Sequence, residues 1–199
     1  MSQPIVVPGA RDVRATLEEP STEPTAIVVA CPPHPQHGGN RGDRRLVAVS
    51  DALLERGIAC LRIDYGEWDE GHGEREDVRN AIRWASPRYD RVGVFGFSFG
   101  SGLALLASAD DPAVDAVSAL APPSSLGPDL EVVPALASLE IPVQIGYGTR
   151  DSTVDWEPVV EAATERGDRV LEFSADHFFV GQHESVATEI AEFFAETLE

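Results

Sequence analysis

Two patterns of apolar residues alternate along the chain. Short, nearly unbroken apolar runs come at Ala26–Cys31 (AIVVAC), Cys60–Tyr65 (CLRIDY), Arg91–Phe97 (RVGVFGF), Ala116–Ala121 (AVSALA), Val143–Gly148 (VQIGYG) and Val170–Ser174 (VLEFS). Between them lie longer segments such as RLVAVSDALLER, whose apolar residues recur three and four apart and so share one face of a helix. Helices are predicted over Arg44–Arg56, Glu74–Ser86, Phe99–Ala109, Val154–Arg166 and His183–Leu198.

Strands that alternate with helices imply right-handed crossovers and a mostly parallel sheet with helices on both faces. The continuous apolar strands agree, because such a sheet is covered on both sides. Pro4–Val7 and Asp12–Glu18, either side of Pro8-Gly9, read as an antiparallel hairpin at one edge and bring the expected sheet to eight strands. Only about twenty residues, Pro122–Ile141, separate the sixth strand from the seventh. They hold room for a short helix (Val132–Leu139) but not for a cap domain. The expectation is a single α/β domain over residues 1–199, with an open cleft beyond the carboxyl ends of the strands.

Charge adds the next constraint. The chain carries 34 acidic residues against 15 basic ones, a net charge of −19, and every basic residue is arginine. Such a surface repels itself in dilute buffer and is screened in molar salt, where the Debye length falls to about 3 Å. The composition therefore reads as salt-adapted, haloarchaeal in type, and excludes nucleic acid as a natural partner, since no basic patch is present. No apolar run is long enough to span a membrane, and the N-terminus MSQPIVVPGARD lacks a secretory pattern, so a cytoplasmic protein is expected. Cys31 and Cys60 sit in apolar runs, in neither a CxxC pair nor a metal-ligand spacing, and read as buried free thiols.

The sharpest chemical signal is Gly96-Phe97-Ser98-Phe99-Gly100. GxSxG alone is a weak pattern, but here it follows an apolar strand and opens a helix of small residues. That is the setting for a nucleophilic serine on a strained turn, its hydroxyl lifted clear of the sheet. Gly96 and Gly100 remove the side chains that would collide across the turn.

At this point the sequence resembles the α/β-hydrolase superfamily over nearly its whole length. The segment CPPHPQHGGNRGDRRLVAVSDALLERGIACLRIDY, with GYGTRD and SADHFF, is similar to the branch whose first catalytic loop reads HPHP and then GG, often labelled dienelactone hydrolase-like. Two positions depart from that pattern. The block opens here with Cys31-Pro32, and the nucleophile is serine where true dienelactone hydrolases use cysteine.

The resemblance implies the chain order serine, acid, histidine. For the base it leaves His177, two residues past VLEFS, and His183, which opens the last helix. His177 is the better placed. For the acid, Asp151 follows VQIGYG and can hold the imidazole in one tautomer, with Asp155 the alternative and helix capping the bland reading. The oxyanion is expected to bind the backbone N–H of Phe99 and, from the loop Pro32–Gly39, that of His34, the one residue of Pro32–Pro35 with an amide hydrogen, with Gln36 and the glycines as alternatives where the loop folds back. Metal binding by His34, His37 and Asp43 is a rival reading, although His-x-x-His on a proline-rich loop lacks helical spacing.

His72 is expected on a solvated loop near the mouth, and Trp68 either lines an acyl pocket or packs beneath its loop. Anionic substrates are disfavoured unless Arg150 or Arg41 offsets the field. The reading is a cofactor-free serine hydrolase acting on a small-molecule ester, thioester or related acyl compound. Its alternatives are a short acyl-peptide hydrolase and a non-catalytic binding protein on the same fold.

Overall fold

A computed structural model describes all residues, Met1–Glu199. Its elements, in chain order, are β1 (Ser2–Val7), β2 (Val13–Glu18), β3 (Ala26–Cys31), α1 (Arg44–Glu55), β4 (Ala59–Asp64), α2 (His72–Ala85), β5 (Arg91–Phe97) and α3 (Phe99–Ser108). There follow β6 (Ala116–Leu120), α4 (Val132–Ser138), β7 (Val143–Gly148), α5 (Glu157–Arg166), β8 (Arg169–Phe173) and α6 (His183–Thr197).

All eight strands form one sheet in the order β1-β2-β4-β3-β5-β6-β7-β8. The β1–β2 hairpin joins β4 antiparallel, and the remaining pairings are parallel. α1 and α6 pack together on one face of the sheet, over a core of Leu46, Val49, Leu53, Ile190 and Phe194 among others. The series α2, α3, α4 and α5 covers the opposite face, around Leu61, Val78, Leu103 and Ile145. β3, buried at every position, is where the strand order reverses. Connections from β3 and β5 run to opposite sides, which opens a crevice between their carboxyl ends. Cys31 and Gly96 pair in register there, so the proline-rich loop and the Ser98 turn leave the sheet side by side.

The eight strands and both helical layers agree with the sequence reading, and no cap domain is present. Pro122–Ile141 holds only α4 and an isolated bridge between Ser125 and Glu131. Two helix starts differ from expectation. α2 begins at His72, because Glu74 closes its first turn by accepting the Gly71 amide at 2.8 Å. His72 therefore lies on that helix and not on a loop. α5 begins three residues later than expected, at Glu157, because the amides of Thr153 and Val154 turn to the side chain of Asp151. No helix is long and apolar enough to cross a membrane.

Candidate active site

Ser98 stands between β5 and α3 with φ +56° and ψ −122°, a conformation that costs a non-glycine residue about 1–3 kcal/mol. The surroundings enforce it. The Ser98 amide donates to Leu120 O at the end of β6 (2.8 Å), and α3 starts at once with Phe99. The two fencing glycines allow backbone to meet backbone. A Cβ on Gly96 would lie 2.1 Å from Gly100 O, and one on Gly100 would lie 2.3 Å from Cys31 O and 2.4 Å from Pro32 O.

His177 and Asp151 reach this serine from two further strand ends. The Ser98 hydroxyl lies 2.9 Å from His177 Nε2, and His177 Nδ1 lies 2.7 Å from Asp151 Oδ2. Asp151 Oδ1 accepts the Thr153 amide at 2.8 Å, so the carboxylate fixes its own loop and the imidazole together. All three side chains are buried. With Nδ1 donating to the carboxylate, Nε2 is left as an acceptor for the serine proton.

The alternatives point elsewhere. Asp155 accepts Ser124 Oγ at 2.8 Å, and His183 Nε2 donates to Phe178 O at 3.1 Å. Asp43 caps α1 and pairs with Arg45, while the His34 ring stacks on His37 with centroids 4.5 Å apart. These three do not converge as a ligand set.

The proline-rich loop folds back on itself. His34 O accepts the amides of His37 and Gly39 at 3.0 Å each, and the Tyr65 hydroxyl donates to Pro32 O at 2.8 Å. The His34 amide donates to no backbone carbonyl, and the Phe99 amide is the first of α3, where a helix leaves its N–H groups free. The His34 ring is enclosed between Trp68 and Phe99 (centroids 4.6 and 4.8 Å), with Nδ1 buried and unpartnered. Burial, and then the neighbouring His37, hold its pKa below the usual histidine value, against an opposing pull from Glu74.

A cavity of about 330 Å³ opens on Ser98 and His177 and is walled by His37, Thr153, Arg45 and Phe178. Arg45 escaped the sequence reading. Its guanidinium lies 4.3 Å from the centroid of the Phe97 ring. Arg41 and Arg150, the cations expected to offset the field, are committed to Asp64 and to Ser174 and line no part of this cavity.

A lidless, mostly parallel eight-stranded sheet with this elbow at its reversal point defines an α/β hydrolase. The chain belongs to the dienelactone hydrolase family, whose model matches residues 66–190, and it is a hydrolase enzyme. A curated relative, the uncharacterized protein RP471 of Rickettsia prowazekii, is 27% identical over 178 residues, 80% of this chain and 74% of that protein. An alpha-beta serine hydrolase homologue from Coxiella burnetii superposes with a TM-score of 0.80 at 25% identity, covering 100% of this chain and 97% of that one. XC6422 from Xanthomonas campestris, described as an a/b serine hydrolase without lid, gives 0.83 at 20% identity over 99% and 95% of the two chains.

Proposed function

We propose that the chain hydrolyses small esters or thioesters through an acyl-enzyme on Ser98. The observation that carries this reading is the unbroken hydrogen-bond line from Ser98 Oγ through His177 to Asp151. Ser98 Oγ attacks the carbonyl carbon while His177 Nε2 takes its proton. The amides of Phe99 and His34 hold the oxyanion, a contribution that is typically several kcal/mol. His177 then gives its proton to the leaving oxygen, and water, activated by the same imidazole, releases the acid from Ser98.

A fluorophosphonate is expected to label Ser98, Ser98→Ala to abolish labelling, and p-nitrophenyl butyrate to be turned over by the parent enzyme. Labelling that survives the substitution would overturn the assignment. The composition also supports function in concentrated salt. Raising KCl from about 0.1 M to about 2 M screens repulsion among the carboxylates and is expected to raise the unfolding temperature. A flat or falling response counts against salt adaptation.

A further inference from the structure

We infer that the acyl half of the substrate carries a positive charge, as a quaternary ammonium does. This rests on the proposed roles of Ser98 and His177. The leaving oxygen must receive its proton from His177, which lines the 330 Å³ cavity, so the alcohol half lies there. The acyl half then points across His34. His34 also lines a second cavity, of about 320 Å³, with Trp68, Phe99, Leu126, Glu70 and His72.

That second cavity has the chemistry of a cation site. Trp68, Phe99 and His34 form one aromatic cluster, with Trp68 and Phe99 centroids 5.7 Å apart. No arginine is among its lining residues, whereas Glu70 stands at its edge in a left-handed conformation, φ +53°. Behind the wall, Glu74 and Asp77 are fully buried and share a single guanidinium, that of Arg11. Arg75, next along α2, is committed to Asp110. The two buried carboxylates accept the amides of Gly66, Asp69 and Gly71, so they fasten the loop that carries Trp68 and set two carboxylates against one guanidinium beside it, although burial raises the pKa of Asp77.

An anionic acyl group is repelled here, and a neutral alkyl group gains only contact area. A quaternary ammonium gains both contact with Trp68 at the cavity wall and the field, an advantage of roughly two- to fivefold for a partly exposed cation–π site.

The test compares p-nitrophenyl 4-(trimethylammonio)butanoate with its carbon isostere, p-nitrophenyl 5,5-dimethylhexanoate, each rate divided by that with hydroxide. Both share one leaving group. Attack forms the Ser98 ester and releases p-nitrophenol, and water then frees the acid. The normalised kcat/KM is expected to favour the cationic ester about two- to fivefold, and Trp68→Leu or Glu70→Gln to shrink that ratio. A ratio of one or below, a ratio unmoved by both substitutions, or fluorophosphonate labelling of Ser98 without turnover of either ester overturns the inference and leaves the hydrolase reading standing. Failure of both turnover and labelling removes the hydrolase reading, and the inference with it.

Discussion

Asp151 meets His177 with one carboxylate oxygen, 2.7 Å from Nδ1, while its other oxygen holds the Thr153 amide at 2.8 Å. The second contact matters as much as the first. It stops the carboxylate from turning away, and with the Val154 amide it forms a turn ahead of α5, so the side chain fixes its own loop and faces the imidazole at once.

That double duty gives Asp151→Asn a definite consequence. The Thr153 amide requires an acceptor, so the asparagine oxygen takes that side and its NH₂ faces His177. Nδ1 is then forced to accept, and Nε2 carries the hydrogen toward Ser98, the wrong tautomer for a base. The expected outcome is a fall in kcat of about 10³–10⁴ with KM little changed, measured with p-nitrophenyl butyrate. A kcat within tenfold of the parent would show that Asp151 does not orient the histidine.

Tyr65→Phe tests the proline-rich loop. The Tyr65 hydroxyl donates to Pro32 O, the carbonyl against which Gly100 is pressed. Losing one such bond costs about 0.5–1.5 kcal/mol, a factor of roughly two to thirteen. Because the loop carries the His34 amide proposed to hold the oxyanion, the loss is expected in kcat, with KM unchanged. Equal losses in kcat and stability, with full recovery at lower temperature, would make Tyr65 a purely structural residue.

Gly100→Ala tests the elbow. The added Cβ meets two backbone carbonyls, Cys31 O and Pro32 O, and no flexible side chain is there to give way. Overpacking of this kind destabilises by about 1–3 kcal/mol. The displaced serine is expected to lose more, on the order of 10² in its labelling rate by a fluorophosphonate. Parent-like labelling in a folded variant would refute the close approach.

The sheet and both helical layers were legible because their apolar periodicities are clean, and Ser98 because GxSxG falls at a strand–helix junction. Choosing His177 and Asp151 relied on strand ends together with the chain order that the resemblance implies. What stayed hidden was polar burial. Glu74 and Asp77 read only as positions on the helix predicted over Glu74–Ser86, yet both are fully buried and hold three loop amides. A signal was present. Positions 74, 77, 78, 81, 82 and 85 share one helical face, so two carboxylates lie on the stripe that also carries Val78, Ala81, Ile82 and Ala85. Arg45 was missed for a different reason: its approach to the Phe97 ring joins α1 to the end of β5, a contact no local pattern encodes.

Cys31 and Cys60 give the last prediction. Both thiols are fully buried, on neighbouring strands β3 and β4, and removal from water raises the pKa of each, that of Cys60 to about 12. The thiolate is the reactive form, and at pH 8 a group with that pKa is about 10⁻⁴ ionised, far below an exposed cysteine. Access is closed as well, so an aromatic disulfide reagent can react only when the strands open. In native protein at pH 8 neither thiol is expected to react within an hour. Two equivalents should appear on unfolding, at a rate that rises with denaturant in step with the loss of structure. One thiol titrating promptly in the native protein would show that its strand opens independently of the fold.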